Sequence, residues 1–412
     1  MVRDIIDGTF FPGLYYLSCL LAEEKRRGET VLERKASEKK PLSPAWDPWD
    51  AWYTRSEKGF YELTSVEFTV TNLCNLRCEH CAVGETLVEK EGTPLPADQL
   101  IRCLDEVDTL QTLSITGGEP ILSTRVVNET IRPLLRYAKS RGIYTQINSN
   151  LTLPLSRYED WIEDLDVLHI SYNYRDVHDF YRIAFQKYGK EVSLSAAEKL
   201  FEQMKENARA LSDAGVFISA ESLLSPFTAR YITGMHRDIA EMGCRRHEVH
   251  PLYPSDFARE MKLLTLDEYR ETILRLVEGR EPDVWILLGT LPFFPCSDRQ
   301  SDLDLWLRLH REKNLTVRQD PDGRNRLNIN AFTGDVIVTD FGDVPPLGNI
   351  RRHRLTDIFA RWLELPVAKQ HHCFCSEAHC AGPNILVSNA YYRDWDFTKR
   401  KAKVEVVQVN EG

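Results

Sequence analysis

The chain has 412 residues, with 52 Lys and Arg against 62 Asp and Glu, so its formal net charge is −10 at pH 7. Ten cysteines in this length are too sparse for a disulfide-stapled mini-protein, and 42% apolar with 28% charged residues is typical of a globular protein. The acidic balance disfavours nucleic acid as a general partner.

Residues 1–63 form an amino-terminal extension, in which a charged helical stretch over residues 23–40 precedes a segment rich in Pro and Trp. We expect that segment to pack on the main body. The most apolar stretch, residues 10–22, is too short to span a bilayer and is interrupted by Pro12 and Gly13. No basic segment precedes it, as a signal peptide would require. We therefore predict a cytoplasmic protein without a membrane partner.

Between residues 64 and 290, short apolar runs alternate with amphipathic helical stretches. The runs cover residues 65–71, 112–116, 143–148, 167–172, 216–222 and 248–252. Strand–helix alternation at this spacing predicts an α/β fold of about six parallel βαβ units, in an open sheet or a full or partial barrel. Such a fold places its chemistry on loops at the carboxyl ends of the strands.

After about residue 290 the alternation stops, and residues 291–412 are predicted to form a smaller α+β domain. Two short strands, 326–331 and 335–339, flank a turn at residues 332–334 and form a hairpin. A short amphipathic helix over residues 355–365 precedes a cysteine-rich segment.

Three cysteines follow the first predicted strand directly, in a C-x3-C-x2-C spacing formed by Cys74, Cys78 and Cys81. Three thiolates on one short loop can bind one metal centre, and they are one fewer than a closed zinc or iron–sulfur site needs. An open coordination position is what metal catalysis requires. The alternative is a zinc site completed by His80 or by a distant residue.

A second motif, Gly117-Gly118-Glu119-Pro120, ends the second predicted strand. Two glycines let the backbone approach a ligand closely, and a carboxylate at a strand end can accept hydrogen bonds from an ammonium group. Alone, these four residues would indicate only a turn. Their position one βα unit after the cysteine loop favours a shared ligand site.

The paired motifs resemble those of the radical S-adenosylmethionine (SAM) superfamily, over residues 64–290. The resemblance implies a partial (β/α)6 barrel with a [4Fe–4S] cluster on Cys74, Cys78 and Cys81, and SAM bound to the open iron. The implied chemistry is reductive cleavage of SAM to a 5′-deoxyadenosyl radical, which removes a hydrogen atom from an organic substrate. A low-potential electron donor such as flavodoxin or ferredoxin is implied as a partner.

The same resemblance marks candidate SAM-binding residues at the ends of three strands. They are Gly117, Gly118, Glu119, Pro120, Asn148, Asn150, Ser171 and Asn173. Asn173 replaces the acid of a common Ser-x-Asp pattern, so we expect it to make a polar contact and not to transfer a proton. The polar side chains at these strand ends could instead cap the following helices. We assign no catalytic side chain beyond the cluster.

A second cysteine group, Cys373-x-Cys375-x4-Cys380, lies in a region that partly resembles the SPASM/twitch extensions, which bind auxiliary clusters. The cysteine that these extensions carry just after the hairpin is missing, so Cys296, at the junction of barrel and extension, is the best fourth ligand. We predict one auxiliary [4Fe–4S] cluster on these four thiolates, with structural zinc as the alternative. Substitute ligands would come from His371, His372 and His379.

Within the superfamily, the chain most resembles the YfkAB-type family, through the second cysteine group and the amino-terminal extension. This resemblance names a class of enzyme and no reaction. A peptide or protein is the first candidate substrate, and small-molecule or cofactor biosynthesis is the second. A non-catalytic, zinc-stabilised binding or scaffold protein is the alternative from another class. Cys19, Cys103 and Cys244 belong to neither group and are predicted to be small buried apolar residues.

Overall fold

A computed structural model describes residues 39–189, 191–319, 322–339, 345–371 and 373–406. The strands are β1 (Ser65–Thr69), β2 (Thr112–Thr116), β3 (Tyr144–Ser149), β4 (Val167–Ser171), β5 (Ile218–Leu224), β6 (Arg246–Pro251), β7 (Trp285–Gly289), β8 (Leu315–Arg318), β9 (Arg326–Asn330), β10 (Asp335–Ile337) and β11 (Gly348–Asn349). The predicted amino-terminal helix, Cys19 and His372 lie outside the described residues.

Helices alternate with the strands as far as β8 and then follow the hairpin. They are α1 (Ala51–Lys58), α2 (Ala97–Asp105), α3 (Thr124–Val126), α4 (Arg132–Ser140), α5 (Ser156–Glu159), α6 (Val177–Phe185), α7 (Leu194–Asp213), α8 (Thr228–Glu241), α9 (Leu266–Glu278), α10 (Gln300–Leu309), α11 (Leu355–Glu364), α12 (Pro366–Gln370) and α13 (Ile385–Tyr391). A π-helical turn, Val127–Ile131, joins α3 to α4.

All eleven strands belong to one sheet, in the order β11-β10-β9-β1-β2-β3-β4-β5-β6-β7-β8. Strands β9 and β1 to β8 run parallel, whereas β10 and β11 pair antiparallel at one edge. This arrangement confirms the predicted α/β class, with the parallel strands as a partial barrel and a carboxyl-terminal extension. The predicted hairpin is present as β9 and β10.

The sheet is larger than the six predicted units, which correspond to β1–β6. Strands β7 and β8 extend one edge, and β9 joins the other by pairing with β1 in parallel, Ser65 opposite Arg326. The four-residue strand β8 is too short to show a period of two in the sequence. Because β8–β11 continue the barrel sheet, the region after residue 290 is joined to it by hydrogen bonds. The domain boundaries at residues 63 and 290 remain predictions.

Strands β1 and β2 have one apolar and one polar face. In β1, Val66 and Phe68 are fully buried in the hydrophobic core, whereas Glu67 and Thr69 line a cavity inside the barrel. Side chains alternate between the two faces of a strand, so the same division recurs along β2, where Ser114 lines the cavity. The barrel therefore has a polar interior.

The Pro/Trp segment before α1 packs against the amino ends of the strands, as predicted. The Trp49 indole Nε1–H donates to Ser114 Oγ at 3.0 Å, and the Trp49 ring packs in one apolar cluster with Tyr144 and Val167, the first residues of β3 and β4. The Thr316 hydroxyl of β8 donates to the Pro44 carbonyl at 3.0 Å. These contacts cover the amino ends of β3 and β4.

Candidate active site and cysteine groups

A cavity of about 320 Å³ occupies the barrel interior and reaches the carboxyl ends of the strands. Most of the residues predicted from the paired motifs line it. They are Cys74, Cys78, Cys81, Gly117, Gly118, Asn148, Asn150, Ser171 and Asn173. Glu119 and Pro120 are buried behind the cavity wall. The structure thus brings the cysteine loop and the three polar strand ends to one place.

The two glycines are required because the cysteine loop runs directly against them. A Cβ at Gly118 would lie 2.2 Å from the carbonyl oxygen of Leu73, and one at Gly117 would lie 2.2 Å from that of Thr71. Gly117 also has φ +147°, a conformation that favours glycine. The N–H of Gly118 donates to the Thr71 carbonyl at 2.8 Å. Gly117 and Gly118 therefore set how closely the loop lies to the end of β2.

The Glu119 carboxylate joins the end of β2 to the end of β3. It accepts the Ser149 hydroxyl at 2.9 Å and the backbone N–H of Asn150 at 2.7 Å. Burial raises the pKa of this carboxyl to about 7, despite the hydrogen bonds that favour the ionised form. Because these groups engage the carboxylate, Glu119 acts on the cavity by holding Asn150. Its predicted direct contact with SAM remains a prediction.

The other polar strand ends are positioned by neighbours and not by helix caps. Asn150 donates from Nδ2 to Asn75 Oδ1 at 2.9 Å, and Asn173 accepts the Leu223 N–H at 2.7 Å. The helix after β3, α5, has no side-chain cap, and the helix after β4, α6, is capped by Asp176. The capping alternative therefore does not describe Asn150 or Asn173.

The barrel interior also carries ionisable residues for which the sequence has no motif. His169 of β4 and Glu221 of β5 approach to 2.8 Å between Nε2 and Oε2, and Glu248 of β6 lies 2.9 Å from His250 Nε2 and bonds to Arg318. All five line the cavity. In the sequence, four of them are polar positions in the alternation along β4, β5 and β6, whereas Arg318 lies in β8, which is too short to show a period.

The first three cysteines are partly buried, and their thiols lie close enough to affect one another. Burial raises the pKa of Cys74 to about 12, and the pKa of Cys78 is raised by burial and then by the neighbouring Cys74 and Cys81 thiols. A cationic centre would reverse these shifts by binding the thiolates. The ring of His80, between Cys78 and Cys81, is neutral because burial lowers its pKa to about 4. The thiols thus fit a metal-bound cluster.

The second cysteine group contains the predicted fourth member. Cys375 and Cys380 face each other in a small hairpin, with N–H···O distances of 2.9 and 3.1 Å. Burial raises the pKa of Cys380 most strongly, and Cys373, Cys375 and Cys296 each raise it further. Cys296, 77 or more residues earlier in the chain, therefore lies close to the other three thiols.

In the described part of the chain, no group of three or more His, Cys, Asp or Glu side chains is arranged to hold a single metal ion. The two described histidines near the second group have other contacts. His371 Nδ1 lies 2.9 Å from the Val367 carbonyl oxygen. The His379 ring stacks on the Trp52 ring with 3.8 Å between the ring centroids.

The remaining described cysteines, Cys103 and Cys244, are buried in the hydrophobic core, as predicted. No helix in the described ranges is long and apolar enough to cross a membrane.

Comparisons with known proteins bear on the family of this chain. The radical SAM superfamily matches residues 68–228, and the YfkB-like domain matches residues 252–402. The YfkA protein of Bacillus subtilis (strain 168) is 51% identical over 365 residues, which cover 88% of this chain and 98% of the relative.

Two more distant proteins are similar over most of their length. The AdoMet-dependent heme synthase of Oleidesulfovibrio alaskensis is 22% identical over 319 residues, covering 72% of this chain and 74% of that protein. The crystal structure of Streptococcus suis SuiB bound to the precursor peptide SuiA has a TM-score of 0.54 at 13% identity, covering 92% of this chain and 88% of that chain.

Proposed function

Because the chain belongs to the YfkAB-type family of radical SAM enzymes, we propose that it cleaves SAM reductively and uses the product to remove a hydrogen atom from an organic substrate. One observation carries the proposal: the loop of Cys74, Cys78 and Cys81 lies against Gly117 and Gly118 at the wall of a single cavity. When bound, a [4Fe–4S] cluster and SAM supply the electron and the 5′-deoxyadenosyl radical.

The protein's own contribution is binding, orientation and exclusion of water. The three thiolates would hold the cluster and leave one iron open to the amino and carboxylate groups of SAM. The backbone of Gly117 and Gly118, with Asn148, Asn150, Ser171 and Asn173, presents polar groups to the cavity where SAM would lie. Glu119 and Pro120 would hold this wall from behind.

The cover over the amino ends of β3 and β4 favours radical chemistry in the cavity. Trp49 donates to Ser114, lines the cavity and packs against the first residues of these two strands. Excluding water protects a reactive intermediate from side reactions. The substrate would then bind above the polar floor of the barrel.

We assign an auxiliary [4Fe–4S] cluster to Cys296, Cys373, Cys375 and Cys380. The proximity of these thiols, three of which raise the pKa of Cys380, supports a shared site. Structural zinc on the same thiolates is the second candidate.

The catalytic proposal is tested by Cys78→Ala, with Cys103→Ala as the matched control outside both groups. After anaerobic purification, we expect wild type and the control to be brown and to release 5′-deoxyadenosine from SAM with dithionite. Cys78→Ala should lose that product. Deoxyadenosine formation by Cys78→Ala at the wild-type rate would contradict the assignment, and a colourless wild type with two zinc ions would favour the scaffold alternative.

Metal analysis tests the auxiliary cluster separately. We expect about eight irons in wild type, from two clusters of four. Cys380→Ser should lose about four of them and retain deoxyadenosine formation without substrate. About four irons and one zinc in wild type would replace the auxiliary cluster by a zinc site and leave SAM cleavage standing.

A peptide is our first candidate substrate, supported by the similarity in fold to SuiB, which was crystallised with a bound precursor peptide. Small-molecule or cofactor biosynthesis is the second candidate, supported by the heme synthase relative. Size-separated cell extracts can be tested for faster deoxyadenosine formation with reduced flavodoxin or ferredoxin as donor. Stimulation that a protease abolishes supports a peptide, and protease-resistant stimulation by the low-mass fraction supports a small molecule.

A further inference from the structure

A buried arginine adjoins the second cysteine group. Arg324 is 1% exposed, and its Nη1 donates to the carbonyls of Cys373 at 3.2 Å and Ala381 at 3.1 Å, and to the Tyr61 hydroxyl at 3.1 Å. Its Nη2 is buried without a hydrogen-bond partner among the described residues. The guanidinium thus contacts the backbone at Cys373 and beside Cys380.

The charge of Arg324 is not balanced by any carboxylate of the described residues. Among the described residues Arg324 forms no ion pair within 4.0 Å, and its hydrogen bonds go to two carbonyls and a phenol. Burying an uncompensated guanidinium is expensive, so buried arginines are normally found beside an anion. An anionic group beside Arg324 would therefore compensate the charge of its guanidinium.

The thiols next to Arg324 supply such an anion once they hold a cluster. The Sγ of Cys373 packs beside Gly382, where a Cβ would lie 2.4 Å from the sulfur, and the Cys375–Cys380 hairpin lies next to it. Thiolates that ligate iron carry negative charge into a buried site. We propose that Arg324 is the buried counter-ion of the auxiliary cluster and raises the reduction potential of that cluster. This inference rests on the auxiliary cluster proposed above.

The physical basis is the charge difference between the two redox states. Reduction adds one negative charge to the cluster, and a nearby buried cation stabilises the reduced form more than the oxidised form. A cation in contact with water has much less effect, since solvent screens it. Arg55 is the control for a cation that water screens, because this residue is partly exposed. Its guanidinium carbon lies 5.3 and 5.5 Å from the ring centroids of Tyr61 and Phe374.

The test isolates the auxiliary cluster in the full chain with Cys74, Cys78 and Cys81 all changed to Ala. In this parent, the cluster is titrated anaerobically and followed by EPR in Arg324→Gln, Arg324→Lys and Arg55→Gln. We expect Arg324→Gln to lower the reduced-to-oxidised ratio at a fixed ambient potential at least tenfold, which is about 59 mV for one electron. Arg324→Lys and Arg55→Gln should stay within about threefold of the parent.

Several outcomes of this experiment would contradict the proposal. A ratio within about threefold of the parent in Arg324→Gln, or an equal fall in Arg324→Lys, would show that the charge is not the cause. If Arg324→Gln does not fold, Arg324→Met takes its place; if neither Lys nor Met at this position holds a cluster, Arg324 is only structural. Zinc without iron in the parent overturns this inference and the auxiliary cluster together, while deoxyadenosine formation by wild type tests SAM cleavage independently.

Discussion

The carboxylate of Asp47 accepts a hydrogen bond from the guanidinium of Arg318 at 2.8 Å, and the two residues are 271 positions apart in the chain. Both side chains are almost fully buried. Arg318 ends β8 and also bonds to Glu248 in β6. The amino-terminal segment is therefore bound into the floor of the barrel.

We expect Asp47→Asn to destabilise the protein by about 2–3 kcal/mol. Removing one partner of a buried ion pair leaves the other poorly compensated, although Glu248 still faces Arg318 here. Urea denaturation measures the change. Asp98→Asn, which breaks the exposed Asp98–Arg102 pair on α2, should have little effect. Equal stability of the two variants would contradict the role of Asp47 in the barrel floor.

Gly118→Ala should impair SAM cleavage about a hundredfold. A Cβ at this position would lie 2.2 Å from the Leu73 carbonyl oxygen, so the cysteine loop would have to move, and small misplacements of reacting groups are costly. The measurement is the rate of deoxyadenosine formation. Gly92→Ala is the control, because a Cβ there meets no described atom within 4 Å. A Gly118→Ala rate matching that of the control would show that the close approach is not needed.

Two buried histidines make stability depend on pH. The Glu281 N–H donates to His236 Nε2 at 3.0 Å, and His236 Nδ1 lies 2.9 Å from His247 Nδ1. Burial lowers the pKa of His236 from 6.5 to about 4 and lowers that of His247 well below its usual value. The folded state thus keeps both rings neutral where the unfolded chain binds protons.

Because the folded pKa is depressed, stability is lost as the pH falls below 6.5 towards 4. Between about pH 8 and pH 5.5, we expect wild type to lose about 1 kcal/mol more than His236→Gln, which cannot titrate at this position. Urea denaturation across this range gives the difference. Parallel pH profiles for the two proteins would contradict a buried neutral His236.

Local sequence patterns were enough to predict the α/β class of the fold and the position of the first cysteine loop. The alternation along β1–β6 and the helical stretches between them depend on neighbouring residues, and the spacing of Cys74, Cys78 and Cys81 is itself local. The hairpin of β9 and β10 followed from its turn. These features could be predicted because each is encoded within a few consecutive residues.

The tertiary structure alone decided which distant residues meet. It joined β9 to β1 and placed Arg324 beside Cys373. It also engaged the Glu119 carboxylate with Asn150. Such contacts depend on strand order and on packing across long separations, which local patterns do not encode.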